Sequence, residues 1–172
     1  EEFIDGDRRF FDVYVLLRYS DKEIKAERRR IEALQATNRR IAREKLPEID
    51  NLIEKGKVMD AYFLASQIFT DLADQPSAKE YRAALGKIKK IINGIEIVPV
   101  KLKGKKPKVK VTLRWNEKKM PVNMLKLDAK FTAGEGEIPT PQKTIEGIAE
   151  FPIEKVKFQG GIVRLEISPL LD

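Results

Sequence analysis

The sequence predicts an α+β chain in three consecutive parts: a β-hairpin remnant over residues 1–19, a helical region over 20–93, and a β-sandwich over 94–172. Two periodicities and a pair of stop signals carry this reading. Apolar residues alternate at period two in "RRFFDVYVLLRYS" and in every apolar segment after Ile95. Between Ser20 and Gly94 they recur every three or four residues. Asn93-Gly94 closes the helical stretch, and Asp5-Gly6 precedes the first strand as a turn.

In the first part, Phe11, Val13, Val15, Leu17 and Tyr19 fall on one face of a strand, with "EEFI" as the stub of its partner. Two strands alone are marginal in water. The chain also opens without a start Met, so the expectation is a fragment whose first domain begins before Glu1.

The helical connector is expected to hold about four helices. Ser20 and Glu23 have capping-box spacing and open a long helix, which Pro47 is expected to end near Lys45. Ile24, Ile31, Leu34 and Ile41 form a stripe too narrow for a core helix and suited to a stalk. Arg28 to Arg30, Arg39, Arg40 and Arg43 interleave with Glu27, Glu32 and Glu44, as on a solvated, ion-paired helix surface. A short helix follows around Ile49, Leu52 and Ile53. A third, from about Lys57 to Ala73, buries Val58, Ala61, Tyr62, Ala65, Ile68, Phe69 and Leu72. A fourth opens with a second box, Ser77 and Glu80, and buries Tyr81, Ala84, Leu85, Ile88, Ile91 and Ile92. Tyr62, Phe63, Phe69 and Tyr81 are expected in the helical core. "GKVMDAYFLASQIFTDLADQP" resembles half of a tetratricopeptide-type repeat, but no second repeat follows, so a plain helical hairpin is expected.

In the last part "IEIVPVKL", "KVKVTLRW", "NMLKLDAKF", "KTIEGIAEFPI" and "GIVRLEIS" each alternate between Gly and Pro turns, the spacing of a sandwich. Pro121-Val122, Gly134, Gly136, and Thr144, Gly147 and Ala149 in a T-x-x-G-x-A step make this segment similar to bacterial immunoglobulin-like domains of the invasin or carboxypeptidase-regulatory type. That resemblance implies an immunoglobulin-like β-sandwich serving as a spacer or adhesive module of the bacterial cell envelope, without catalysis. It also implies a backbone role for Gly147. "FFDVYVLLRYSDKEIKAERRRIE" resembles, over fewer residues, the strand-to-helix end of a family of small bacterial outer-membrane lipoproteins.

Composition bounds the chemistry. With 42% hydrophobic and 35% charged residues the chain reads as folded and soluble, and its apolar runs are far shorter than the ~20 residues of a membrane span. Cysteine and histidine are both absent, which removes disulfides, thiol nucleophiles, zinc–thiolate sites and the commonest general base. No catalytic or metal-ligating residues, no cofactor and no small-molecule substrate are expected. Asp5 and Asp7 lack calcium-loop spacing, and Glu135 and Glu137 read as loop residues.

The net charge of +7 favours anionic partners, and the densest basic cluster is Lys101, Lys103, Lys105, Lys106, Lys108 and Lys110. In "KVKVTLRW" the lysines alternate with Val109, Val111 and Leu113, so the preferred reading is the wet face of a hairpin, turning at Gly104 to Pro107. Lysines there also guard a sheet edge. The second reading is a patch for an anionic polymer. Only Trp115 offers a stacking surface nearby, which argues against nucleic acid. The expectation is a non-catalytic structural or protein-interaction module on the periplasmic or surface side of the bacterial envelope. Its partners would be other envelope proteins, and membrane contact would come only through an anchor outside this sequence.

Overall fold

The computed structural model describes residues 2–5, 8–11, 19–100, 106–157 and 163–171. They divide into two compact units, residues 1–36 and 37–172.

In the first unit β1 (Glu2–Asp5) pairs antiparallel with β2 (Arg8–Phe11), with Asp5 opposite Arg8, as the hairpin stub predicts. The expected strand beyond Phe11 lies mostly outside the described residues. Helix α1 (Asp21–Glu54) starts at the predicted capping box. The Glu23 amide donates to Ser20 Oγ at 3.3 Å, and the Ser20 amide and hydroxyl each donate to Glu23 Oε2 at 2.7 Å. Those hydrogen bonds, the hydroxyl's first, hold the Glu23 carboxyl below the ordinary carboxylate range. Along α1, Ile24, Ile31 and Leu34 are exposed, as expected of a stalk stripe.

Among the described residues the helices number three, not four, because Pro47 lies inside α1. Proline in a helix interior removes one backbone hydrogen bond and costs ~3 kcal/mol. Two groups outweigh that here: Ile49 and Ile53 are both fully buried, each contributing ~1.5–3 kcal/mol. Pro47 itself faces solvent, as does Arg43 one turn earlier, so the proline falls on the exposed side of the helix. The helix ends in a Schellman motif: Lys57 N–H donates to the Leu52 carbonyl and Gly56 N–H to that of Ile53, both at 2.9 Å. Gly56 there has φ +74°.

Helix α2 (Val58–Asp71) buries Val58, Met59, Ala61, Tyr62, Ala65 and Ile68, and α3 (Lys79–Gly94) buries Glu80, Ala84 and Ile91. Phe69 stacks on Tyr81 with ring centroids 4.7 Å apart. Phe63 departs from the expected aromatic core: it lies on the opposite side of α2 and is 53% exposed. The second capping box does not form, since α3 is capped at Ala78 without a side-chain bond. Glu80 is drawn instead to Arg43 of α1, 3.0 Å away.

Among the described residues every strand pair after Gly94 is antiparallel. β4 (Lys108–Trp115) is the centre of one sheet, with β3 (Ile95–Val100) along one edge. Along its other edge β5 (Lys118–Pro121) and β9 (Ile148–Glu150) follow one another in line. A second sheet has the order β11-β6-β8, formed by Arg164–Leu170, Lys126–Ala133 and Gln142–Lys143. The third pairs β7 (Glu135–Glu137) with β10 (Glu154–Lys157).

"KTIEGIAEFPI" is not one strand. Ile145 and Ile148 exchange two hydrogen bonds of 2.9 Å around Glu146 (φ +52°) and Gly147 (φ +73°), a two-residue type I′ turn. Gly147 also donates its amide to Asn123 Oδ1 at 3.0 Å. A Cβ there would come within 2.7 Å of Pro121 Cβ.

The helices and the β4 sheet share an apolar core. Val109, Val111, Leu113 and Trp115 of β4 are buried with Val122, Leu125, Leu127, Ala149 and Phe151. The step from α3 to β3 has no intervening residue. Gly94 makes it possible through close approach rather than through positive φ: a Cβ there would lie 2.6 Å from the Arg114 carbonyl oxygen. Beside it, Lys90 Nζ sits 4.1 Å from the centre of the Trp115 ring and donates to Asn116 Oδ1 at 2.7 Å.

Candidate interaction face

The lysine cluster divides at the limit of the described residues. Lys101, Lys103 and Lys105, with the Gly104 turn, lie outside them, whereas Lys106, Lys108 and Lys110 are described and exposed. On β4, burial alternates residue by residue. Val109, Val111, Leu113 and Trp115 face the core; Lys108, Lys110 and Arg114 face water.

Register defines what stands beside each lysine. Lys110 is opposite Val98 of β3 and Ile148 of β9, and Lys108 is opposite Val100 and Glu150. The side chains of directly opposed residues project from the same face, so two rows cross the outside of the sheet: Val98–Lys110–Ile148 and Val100–Lys108–Glu150. Val98 is 52% exposed, Ile148 42% and Val100 38%. Strands ~4.8 Å apart put the ends of each row ~10 Å from one another.

The backbone bonding pattern sets how close these neighbours come. Val111 N–H donates to the Gly147 carbonyl at 2.7 Å, and Phe151 N–H to that of Pro107 at 2.8 Å. Odd-numbered residues of β4 therefore bond toward β9, and even-numbered ones toward β3. Lys110 and Ile148 form a non-hydrogen-bonded pair, the closer of the two antiparallel pair types. On β3 the same alternation points the backbone groups of Ile97 and Pro99 away from β4, while the Ile97 side chain packs on the core, so that edge, unpaired among the described residues, lacks one amide where Pro99 stands.

Charge on the face is uneven. Lys108 makes an ion pair with Glu150. The hydrogen bond and charge of Lys108, with the charge of Lys106, hold the Glu150 carboxyl below the ordinary carboxylate range. Lys110 has no carboxylate partner among the described residues. Farther along the sheet Glu96 receives Arg114 and Lys119, each at 2.6 Å. The Lys119 hydrogen bond, followed by the Arg114 charge, holds the Glu96 carboxyl low. The sheet face is thus basic at both ends, by one charge where Arg114 and Lys119 meet Glu96 and by two where Lys106, Lys108 and Lys110 surround Glu150.

Alternation in the sequence correctly orients Lys108 and Lys110. It misses Val98, Val100, Ile148 and Glu150 as their neighbours, because strand order is a long-range property. A local signal did exist: the alternation of "IAEF" already turns Ile148 and Glu150 the same way. Elsewhere, Glu135 and Glu137, expected in a loop, lie on strand β7, where Glu137 faces Lys155 at 2.8 Å and Glu135 faces Lys157 at 3.7 Å, so each carboxylate has its own cation. No group of three carboxylates gathers as a metal site among the described residues.

No family model matches the sequence, and neither a curated protein nor a solved structure does.

Proposed function

We propose that this chain is a non-catalytic structural and protein-interaction module of a bacterial cell-envelope protein, working on the periplasmic or surface side. In this reading its strands belong to an immunoglobulin-like sandwich. The observation that carries the interaction role is the open sheet face on which Val98, Val100 and Ile148 are solvent-exposed around Lys108 and Lys110. Sheet faces that serve only to meet water carry polar residues at such positions. The resemblance to bacterial immunoglobulin-like domains in "MPVNMLKLDAKFTAGEGEIPTPQKTIEGIAEFPI" supports the compartment and the absence of catalysis. The long-range ion pairs Arg43–Glu80 and Lys87–Asp50 support a structural part, since they brace one helix against another.

Photo-crosslinking in cells, with the reactive group placed in turn at exposed positions on both units, tests this reading. Crosslinks to envelope proteins are expected. A cytosolic location on fractionation, or no protein crosslink from any position, overturns it.

The second reading is a binding module for an anionic polymer, favoured by Lys110, which has no counter-charge among the described residues. Retention on heparin across a salt series separates the two, because release of condensed counterions gives a steep salt dependence.

A further inference from the structure

The geometry points to a specific kind of partner for the β3–β4–β9 face: an extended, acidic protein segment that lies along the Val98–Lys110–Ile148 row and carries aliphatic side chains two residues either side of a carboxylate. This inference rests on the interaction-module reading and deepens it.

Charge complementarity is the first ground. Three described lysines, Lys106, Lys108 and Lys110, meet one carboxylate, Glu150, and that carboxylate is committed to Lys108. An incoming acid finds its counter-charge at Lys110, whose ammonium is unpaired among the described residues.

The second ground is the apolar framing of that charge. Lys110 stands between Val98 and Ile148 in a single row, both substantially exposed. A polyphosphate or sulfated polysaccharide would leave both of them wet and gain nothing from them. A peptide carrying Val or Leu two residues either side of its carboxylate turns all three side chains to the sheet and covers both, at ~25 cal/mol per Å2 of apolar surface removed from water. The stem of Lys110 adds apolar area to the same row.

Spacing is the third ground. The Val98–Lys110–Ile148 row is ~10 Å from end to end, and three side chains on one face of an extended peptide span ~13 Å, so one aliphatic–carboxylate–aliphatic triplet covers it. Docking across the face is also favoured over lengthening the sheet, because an added strand along β3 would find no amide at Pro99.

The test uses the full chain and fluorescence-anisotropy titrations with three labelled probes. These are a short synthetic peptide in which valine and glutamate alternate at every second position with serine between them, polyglutamate of equal charge, and a heparin oligosaccharide. The alternating peptide is expected to bind at least tenfold more tightly than polyglutamate or heparin. Lys110→Glu and, separately, Val98→Asp should each weaken it about tenfold. Arg28→Glu on α1 should change nothing. Circular dichroism and a thermal melt of each variant confirm that its fold is intact. Should Val98→Asp alone misfold, Val98→Thr, which keeps the β-branched shape, takes its place with the same expectation.

Equal binding of all three probes with no effect at Val98 means charge alone is read, and the inference falls in favour of the anionic-polymer reading. No binding of the alternating peptide by the folded chain overturns it outright. Protein crosslinks in cells that come only from positions off this face sink the inference and leave the interaction-module reading standing. Absence of protein crosslinks anywhere sinks both.

Discussion

Arg43 of α1 and Glu80 of α3 meet at 3.0 Å, and seven residues farther along each helix Asp50 and Lys87 meet at 2.6 Å with the polarity reversed. The order of the pairs shows that the two helices run in the same direction. Reversed polarity makes the alignment selective, since a slip of α3 by seven residues would set Arg43 against Lys87. The Glu80 side chain is almost entirely buried, whereas Arg43 is two-thirds exposed. Removing Arg43 therefore leaves a buried carboxylate that water cannot fully reach. Arg43→Ala should cost about 1–2 kcal/mol by chemical denaturation, screening at the exposed guanidinium keeping it below the cost of breaking a fully buried pair. A silent Arg43→Ala would mean that the pair carries no stability.

Glu80 also sets a pH dependence. Burial pushes its carboxyl up, but its own backbone amide, the Arg43 hydrogen bond and charge and the Lys79 charge together outweigh burial and hold it below the ordinary range. The folded value therefore lies under the unfolded one. Its stabilising contribution is complete above the ordinary carboxylate range and is lost as pH falls through the lower, folded value. Denaturation midpoints measured down the acid limb should decline less steeply in Glu80→Gln than in the native chain.

Two glycines of α3 should respond in opposite directions to alanine. Gly86 has nothing within 4 Å of where a Cβ would stand, so Gly86→Ala should gain about 0.5–1 kcal/mol from helix propensity. At Gly94 the Cβ would press on the Arg114 carbonyl and on Leu113, and Gly94→Ala should lose about 1–3 kcal/mol. Paired thermal melts decide it.

A second glycine pair separates backbone strain from crowding. Gly56 and Gly147 have nearly equal positive φ, but only Gly147 is crowded, by Pro121 and the Val111 carbonyl. Gly56→Ala should cost about 1–2 kcal/mol, from the left-handed conformation alone. Gly147→Ala should cost more, and equal losses would contradict the register of the β4–β9 pairing.

Replacing Lys106, Lys108 and Lys110 by Gln should leave the fold intact, each exposed site contributing within about 0.5 kcal/mol. A large drop in melting temperature would show that the ammonium of Lys108 on Glu150 holds β9 in place.

The elements with strong local periodicity were legible: the alternation of β4, the buried face of α2 and the Ser20–Glu23 box all appear where the residues indicate. Errors arose where a distant partner overrode a local signal. Pro47 carries a stop signal, yet the burial of Ile49 and Ile53 carries the helix past it. Ser77 and Glu80 have capping spacing, but Arg43, remote in sequence, takes the carboxylate. Glu146-Gly147 is a tight turn without the Asn or Asp that usually marks one, so "TIEGIAEF" reads as a continuous strand. At the candidate face, which residues point outward was local information. Which of them stand side by side was not.

The direct passage from Gly94 to Ile95 has a mechanical consequence. A tether takes up slack before it carries load, but here there is no slack: α3 gives way to the six-residue β3 at a single peptide bond, wedged under the Arg114 carbonyl. Tension entering along α3 reaches the β3–β4 ladder at once, and the clasp of Lys90 on Trp115 and Asn116 resists twist at the same point. The junction is a welded joint rather than a hinge, since where helix becomes sheet there is no free residue about which the two could swing.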